Sequence, residues 1–122
     1  METTRQQKFA RLIQKELSQL FLLEGPSIYG KAFVTITTVK ATPDLSIARV
    51  YLSIMGVPDR ELAVEAINEA THKIRGLLGL RIKQQVRHIP NLNFFLDDSL
   101  DYAEKIERLL KEANAGKDTS NS

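Results

Sequence analysis

Apolar residues recur along this chain with two different periods, and the change of period marks its elements. Phe9, Leu12, Ile13, Leu17, Leu20 and Phe21 return at helical spacing, which predicts a first helix from about Thr3 to Leu23, stopped by Gly25-Pro26. The period then shortens to two. In "KAFVTITTVKATPDLSIARVYLSIMG" two runs rich in Val, Ile, Thr and Tyr flank Thr42-Pro43-Asp44-Leu45-Ser46, the signature of a strand, a turn and a second strand. Ala48, Val50, Leu52 and Ile54 alternate with Ile47, Arg49, Tyr51 and Ser53, so the second strand should bury one face and leave the other more open. Asp59 follows Pro58 as an N-cap, and Leu62, Ala63, Ala66, Ile67, Ala70, Ile74, Leu77, Leu78, Ile82 and Val86 restore the helical period. That run exceeds a typical globular helix, so a bend is expected between Ala70 and Gly79, either at Thr71-His72 or at the Gly76/Gly79 pair. Pro90 and "NLNFFLDD" supply a third short strand. A final helix is capped by Asp98 or Ser99 and carries Leu100, Ala103, Ile106, Leu109 and Leu110 on one stripe. The order helix, strand, strand, bent helix, strand, helix reads as an α+β domain, with helices on one face of a small three-stranded sheet.

Length fits this single unit: 122 residues can bury a real core without metal or disulfide staples. Domain boundaries of 1–113 are expected, with 114–122 as a disordered polar tail. Absence of cysteine excludes thiol catalysis, thiolate metal sites and disulfides. No apolar run reaches the ~18 residues of a membrane span, and the N-terminus is too regularly charged for a signal peptide. The expectation is a soluble, cytoplasmic protein.

Net charge is only +2, so its distribution matters more than its sum. Residues 73 to 87 hold five Lys or Arg and no acid, whereas residues 97 to 112 hold six acids and three bases. On the first helix Lys8, Arg11 and Lys15 fall on one stripe beside the apolar face, with Arg5 nearby. A polyanion is met by Lys and Arg spread over one face. The candidate RNA-binding residues are therefore Arg5, Lys8, Arg11, Lys15, Lys73, Arg75, Arg81, Lys83 and Arg87. Arg49 and Tyr51 stand on the open sheet face, but both types are commonplace on exposed strands. Gly76-Leu77-Leu78-Gly79 spells a GxxG, which some RNA-binding domains use as a backbone clamp, yet Leu77 and Leu78 suit a core better than a clamp loop.

Two other readings are weaker. His88 with Asp97, Asp98 and Asp101 suggests a metal or acid–base set, but Asp98 is explained as a helix cap and Asp101 as a helix-dipole partner. A protein-interaction adaptor would present Leu12 and Phe9 to a partner groove, although a small sheet needs both as cover.

Three stretches carry a resemblance: "TPDLSIARVYLSI", "AINEATHKIRGLLG" and "VRHIPNLNFFLDDSLDYAEKIERLL", the last with Ile89-Pro90-x-Leu92-x-Phe94-Phe95 followed by Asp98-Ser99. Over residues 3 to about 110 the chain resembles the ribosome-binding factor A family of bacterial small-subunit maturation factors. The resemblance implies a type II KH-like domain that is not an enzyme and needs no cofactor or metal. It implies binding to the small (30S) ribosomal subunit through 16S rRNA, a role in late maturation, rRNA processing and cold adaptation, and a monomer when free. It further implies a helix–kink–helix at the family's Ala-x-Gly, which falls on Ala70, Thr71 and His72, with His72 replacing the glycine. Gly76 and Gly79 would then lie within the second helix of the pair.

Overall fold

The computed structural model describes residues 2–97 and Arg108. Helix α1 (Thr4–Tyr29) is followed by strands β1 (Phe33–Ala41) and β2 (Ile47–Met55), helices α2 (Arg60–Glu69) and α3 (Thr71–Ile82), and strand β3 (Asn91–Leu96). The sheet order is β1-β2-β3, with β1 antiparallel and β3 parallel to β2. This is the α+β arrangement expected from the sequence. The final helix, its cap at Asp98 or Ser99, and the tail lie outside the described residues.

One face of the sheet supplies the core. Ala48, Val50 and Leu52 are fully buried and Ile54 nearly so, as the period-two pattern requires, while Ile13, Leu17, Ile67, Ile74, Leu78 and Ile82 descend onto them from the three helices. Hydrophobic burial of this kind supplies most of the stabilisation of a small domain. Phe9 is buried and Leu12 packs against the same core. The residues that an adaptor would offer to a partner groove are thus already occupied.

The start of α1 is fixed by a reciprocal cap: the Gln6 N–H donates to Thr3 Oγ1 and the Thr3 N–H to Gln6 Oε1. Buried Gln6 also donates from Nε2 to the Ala41 carbonyl at 2.8 Å, tying the helix to the end of β1.

Two boundaries differ from the sequence expectation. The first is the end of α1, which runs through Gly25-Pro26 instead of stopping there. Proline removes one helical donor, whose acceptor would be the carbonyl four residues earlier. That residue, Leu22, is 82% exposed, so the missing bond falls on the solvent side of the helix. Gly25 has a different task. Tyr29 folds back over it, donates its hydroxyl to the Phe21 carbonyl at 3.2 Å, and meets the Phe21 ring edge-on at 5.7 Å. A Cβ on Gly25 would lie 2.0 Å from the Tyr29 hydroxyl oxygen. Burial also raises the Tyr29 pKa above its ordinary value.

The second difference concerns the end of the long helical run, since α3 stops at Ile82 and Val86 lies beyond it, half-buried. Between α2 and α3 the chain breaks at Ala70, with φ −89° and ψ 9°. This is the bridge region, open to any L-residue. Its N–H is shared between the Ala66 and Ile67 carbonyls, each at 3.1 Å, and Thr71 Oγ1 donates to the Asn68 carbonyl at 2.6 Å. His72 is exposed in the first turn of α3. Because the bend falls on Ala70 at negative φ, no glycine is required at position 72. Gly76 and Gly79 both sit inside α3, where their N–H groups belong to the helix.

A Cβ on Gly76 would meet nothing within 4 Å. Gly76→Ala is expected to stabilise the fold by about 1 kcal/mol through helix propensity, and Gly25→Ala to destabilise it by displacing the Tyr29 ring. Chemical unfolding of the two variants checks both signs; a stabilising Gly25→Ala would contradict this packing.

Candidate nucleic-acid interface

Parallel pairing returns the chain to the tip of the β1–β2 hairpin, and this return builds the basic surface. The Asn91 N–H donates to the Ser46 carbonyl at 2.8 Å where β3 begins. The approach to it, residues 83–90, must therefore cross between the hairpin tip, the start of α1 and the outer side of α3. Arg75 holds it there: its Nε donates to the Pro90 carbonyl at 3.0 Å and its guanidinium Nη2 to the Ile89 carbonyl at 2.7 Å. Gly79 assists by having no side chain, since a Cβ there would already touch Ile89 at 3.4 Å. Pro90 itself is buried.

Two hollows flank this crossing. The larger, about 650 Å³, lies between Arg5, the hairpin tip at Asp44 and Ser46, and Arg87 and His88. The smaller, about 370 Å³, lies between Arg87 and His88 on one side and His72, Arg75 and Gly76 of α3 on the other. Arg87 and His88 form the shared rim. The structure thus sets Arg87 between two adjoining hollows, with Arg5 lining one and Arg75 the other.

The remaining nominated residues are placed differently. Lys8, Arg11 and Lys15 are exposed, and with Arg5 they fill a sector about 120° wide, roughly opposite the buried stripe rather than beside it. Of these four, Arg5 alone lines the groove; the other three continue along the outer side of α1. Lys73 and Lys83 are exposed near the groove without lining it. Arg81 is engaged internally, with its Nε 3.1 Å from Glu16 Oε1 and its Nη2 donating to Gln19 Oε1. It joins α3 to α1, so reversing its charge would report on packing as well as on RNA.

One acid shares the groove. Asp44 Oδ1 accepts from the Ser46 N–H at 3.1 Å, from Ser46 Oγ at 2.8 Å and from Thr42 Oγ1 at 2.8 Å. These bonds, the Ser46 hydroxyl foremost, hold its pKa below the ordinary value. They also hold a turn that carries Leu45 at φ 60°. Asp44 Oδ1 is thus engaged by its own turn.

Sequence reasoning overlooked Asn68. Its Nδ2 donates to the Phe94 carbonyl at 3.1 Å and its Oδ1 accepts from the Phe94 N–H at 3.2 Å, so one side chain pairs with the outer edge of β3 as a neighbouring strand would. No period reveals that role. The His88–Asp97 reading fails on distance, because the two residues flank opposite ends of β3, roughly 20 Å apart at the rise of an extended chain. Asp97 instead accepts a bond from Thr37 Oγ1 at 2.6 Å, and Asp98 and Asp101 lie outside the described residues. Among the described residues, no group of three or more His, Asp or Glu could hold a metal ion, and no helix is long and apolar enough to cross a membrane.

Fold and groove define a class: a KH-like α+β domain with a cationic surface where the approach to its last strand crosses the hairpin tip. Residues 5–110 match the family model described as Ribosome-binding factor A. The chain belongs to the ribosome-binding factor A family. It is 46% identical over 112 residues to ribosome-binding factor A of Cytophaga hutchinsonii, covering 92% of this chain and 84% of that one. With the Prosthecochloris aestuarii protein of the same name it shares 47% over 107 residues, 87% of this chain and 86% of the other. Among solved structures, the crystal structure of ribosome-binding factor A from Thermus thermophilus superposes with a TM-score of 0.61 at 22% identity, covering 75% of this chain and 94% of that one. A Thermus thermophilus ribosome-binding factor A homology model, fitted into a cryo-EM map of its complex with 30S, superposes with a TM-score of 0.53 at 23% identity, over 78% and 93% of the two chains. At these identities the two superpositions speak for the fold.

Two outcomes follow for the groove. Arg75→Met removes two charge-assisted bonds and is expected to cost about 1–3 kcal/mol, with amide exchange accelerated across residues 83–90; unchanged exchange there would show that Arg75 does not hold the crossing. The Asp44 carboxyl is expected to titrate, by NMR, below an ordinary aspartate. Because its pKa is depressed in the fold, its contribution to the turn is complete at neutral pH and is lost as the pH falls through that midpoint, with faster exchange of the Ser46 amide.

Proposed function

We propose that this chain binds the small ribosomal subunit through 16S rRNA, in the cytoplasm, and assists late subunit maturation and rRNA processing without catalysing a reaction. The observation that carries the reading is the placing of Arg87 on the shared rim of two adjoining hollows, with Arg5 lining one and Arg75 the other, in a chain whose family is named for ribosome binding. The relative fitted into the 30S complex map shares this fold.

Within this reading the groove cations divide by role. Arg5 and Arg87 are exposed, with no hydrogen-bond or ion-pair partner among the described residues, and are free to meet phosphate. Arg75 has spent two of its donors on Ile89 and Pro90 and acts chiefly by positioning Arg87. Lys8, Arg11 and Lys15 extend the positive surface along α1, and Lys73 and Lys83 extend it beside α3. A folded RNA helix is read mainly through phosphates, 2′-hydroxyls and shape, which suits a surface of arginine and lysine around shallow hollows. Support for maturation under cold conditions belongs to the same reading, since misfolded rRNA helices persist longer at low temperature.

Binding of immature small subunits by the double variant Arg5→Glu/Arg87→Glu tests the assignment. Affinity is expected to fall at least about tenfold and the slope of log affinity against log salt to shrink by about 2, one for each phosphate left unmatched. The thermal midpoint should stay unchanged, because neither side chain is paired. Wild-type affinity in a folded double variant would move the interface elsewhere on the domain.

A further inference from the structure

Among the described residues, nothing covers the face of the sheet turned away from the helices, and its side chains are not those of an idle surface. Strand pairing sets them in rows. Lys40 of β1 lies directly across from Arg49 of β2, and Arg49 beside Asn93 of β3. In the next row Thr38 lies opposite Tyr51, and Tyr51 beside Phe95. Tyr51 and Phe95 are stacked, ring centroids 5.5 Å apart at 30°, and Phe95 remains 42% exposed.

Two features of these rows lack a structural purpose within the domain. Like charges directly opposite on neighbouring strands destabilise a sheet. Lys40 and Arg49 are both exposed, and neither has a hydrogen-bond or ion-pair partner among the described residues. Among the described residues at the strand ends, the carboxylate on this face, Asp97, lies beyond the aromatic row and accepts a bond from Thr37. The aromatic pair faces solvent although the core is complete without it. An anion set against the cations and a flat apolar group set on the rings would answer both features at once, and a nucleotide joins those two chemistries in one unit.

We propose that the uncovered sheet face is a second RNA-binding surface, which takes the unstacked bases of a single-stranded segment on Tyr51 and Phe95 and its phosphates on Arg49 and Lys40. Stacking on aromatic side chains with flanking cations is how many proteins hold single-stranded nucleic acid without reading its sequence. The proposal rests on the reading of this chain as an rRNA binder and extends it: the groove meets folded RNA, and the opposite face meets an unpaired segment.

The test uses the full chain and a fluorescein-labelled, unstructured ten-nucleotide pyrimidine RNA, followed by anisotropy at low salt. Phe95→Ala is expected to weaken binding about fivefold to a hundredfold, the range for removing one base–aromatic stack. Lys40→Gln/Arg49→Gln should weaken it too and reduce the salt slope by about 1.4, at ~0.7 for each phosphate of a single strand. This second variant guards against misfolding, because relieving a like-charge pair should leave the thermal midpoint unchanged or higher. Wild-type affinity in the folded double variant, or no binding of the oligonucleotide to the unaltered chain, overturns the proposal and leaves the face to a protein occupant, the chain's own C-terminal segment included. Parallel measurement of small-subunit binding separates the two readings. Small subunits bound while the oligonucleotide is not defeats this inference alone. The converse defeats the ribosomal reading and leaves the sheet as a general single-strand platform.

Discussion

Parallel pairing between β2 and β3 is the constraint from which the rest of the structure follows. A parallel neighbour cannot be reached by a tight turn; the chain must be carried back along the whole sheet before it can pair. Here that crossover is α2, the break at Ala70, α3 and the segment 83–90. The crossover lays its helices on one face of the sheet, and α1 shares that face, so a single apolar layer of Ala48, Val50, Leu52 and Ile54 lies in one core with all three helices. Among the described residues, none of these helices covers the opposite face.

The groove is the point where the crossover returns. Chain arriving at Asn91 must pass the hairpin tip, because the Ser46 carbonyl receives its first strand bond. Arg75 and Gly79 press the arriving segment against α3, one by donating to its carbonyls and the other by leaving room for Ile89. Arg87 is thereby set between two hollows, with Arg5 across one and Arg75 across the other. A stretch of sequence without a single acid becomes a rim of positive charge because the fold bends it around the end of the sheet.

How much of this was legible depended on whether the information was local. The hairpin, the buried set of β2 and the Asp59 cap follow from period and turn chemistry, and the structure repeats them residue for residue. The end of α1 did not, because Gly25-Pro26 is a stop signal in isolation and only the fold of Tyr29 over Gly25 shows why the helix carries on. The bend was placed within a short window, but its form depends on Ala70 accepting bridge-region angles, which composition cannot show. For the proposed interface, the acid-free run from Ala70 to Leu96 singled out the segment that rims the two hollows. Its division into exposed cations and internally bonded ones was invisible, since the partners of Arg75 and Arg81 lie 14 to 65 residues away. The bonds from Asn68 to Phe94 are equally non-local.

The central claim is that phosphate contacts from an otherwise satisfied domain hold this chain on the small subunit. Sucrose-gradient sedimentation of the intact chain with free small subunits, repeated across a salt titration, tests it most directly. The account predicts co-migration at low salt that is lost steeply as salt rises, with log affinity falling linearly in log salt concentration. Absence from the small-subunit fractions at low salt, or co-migration insensitive to salt, would contradict it.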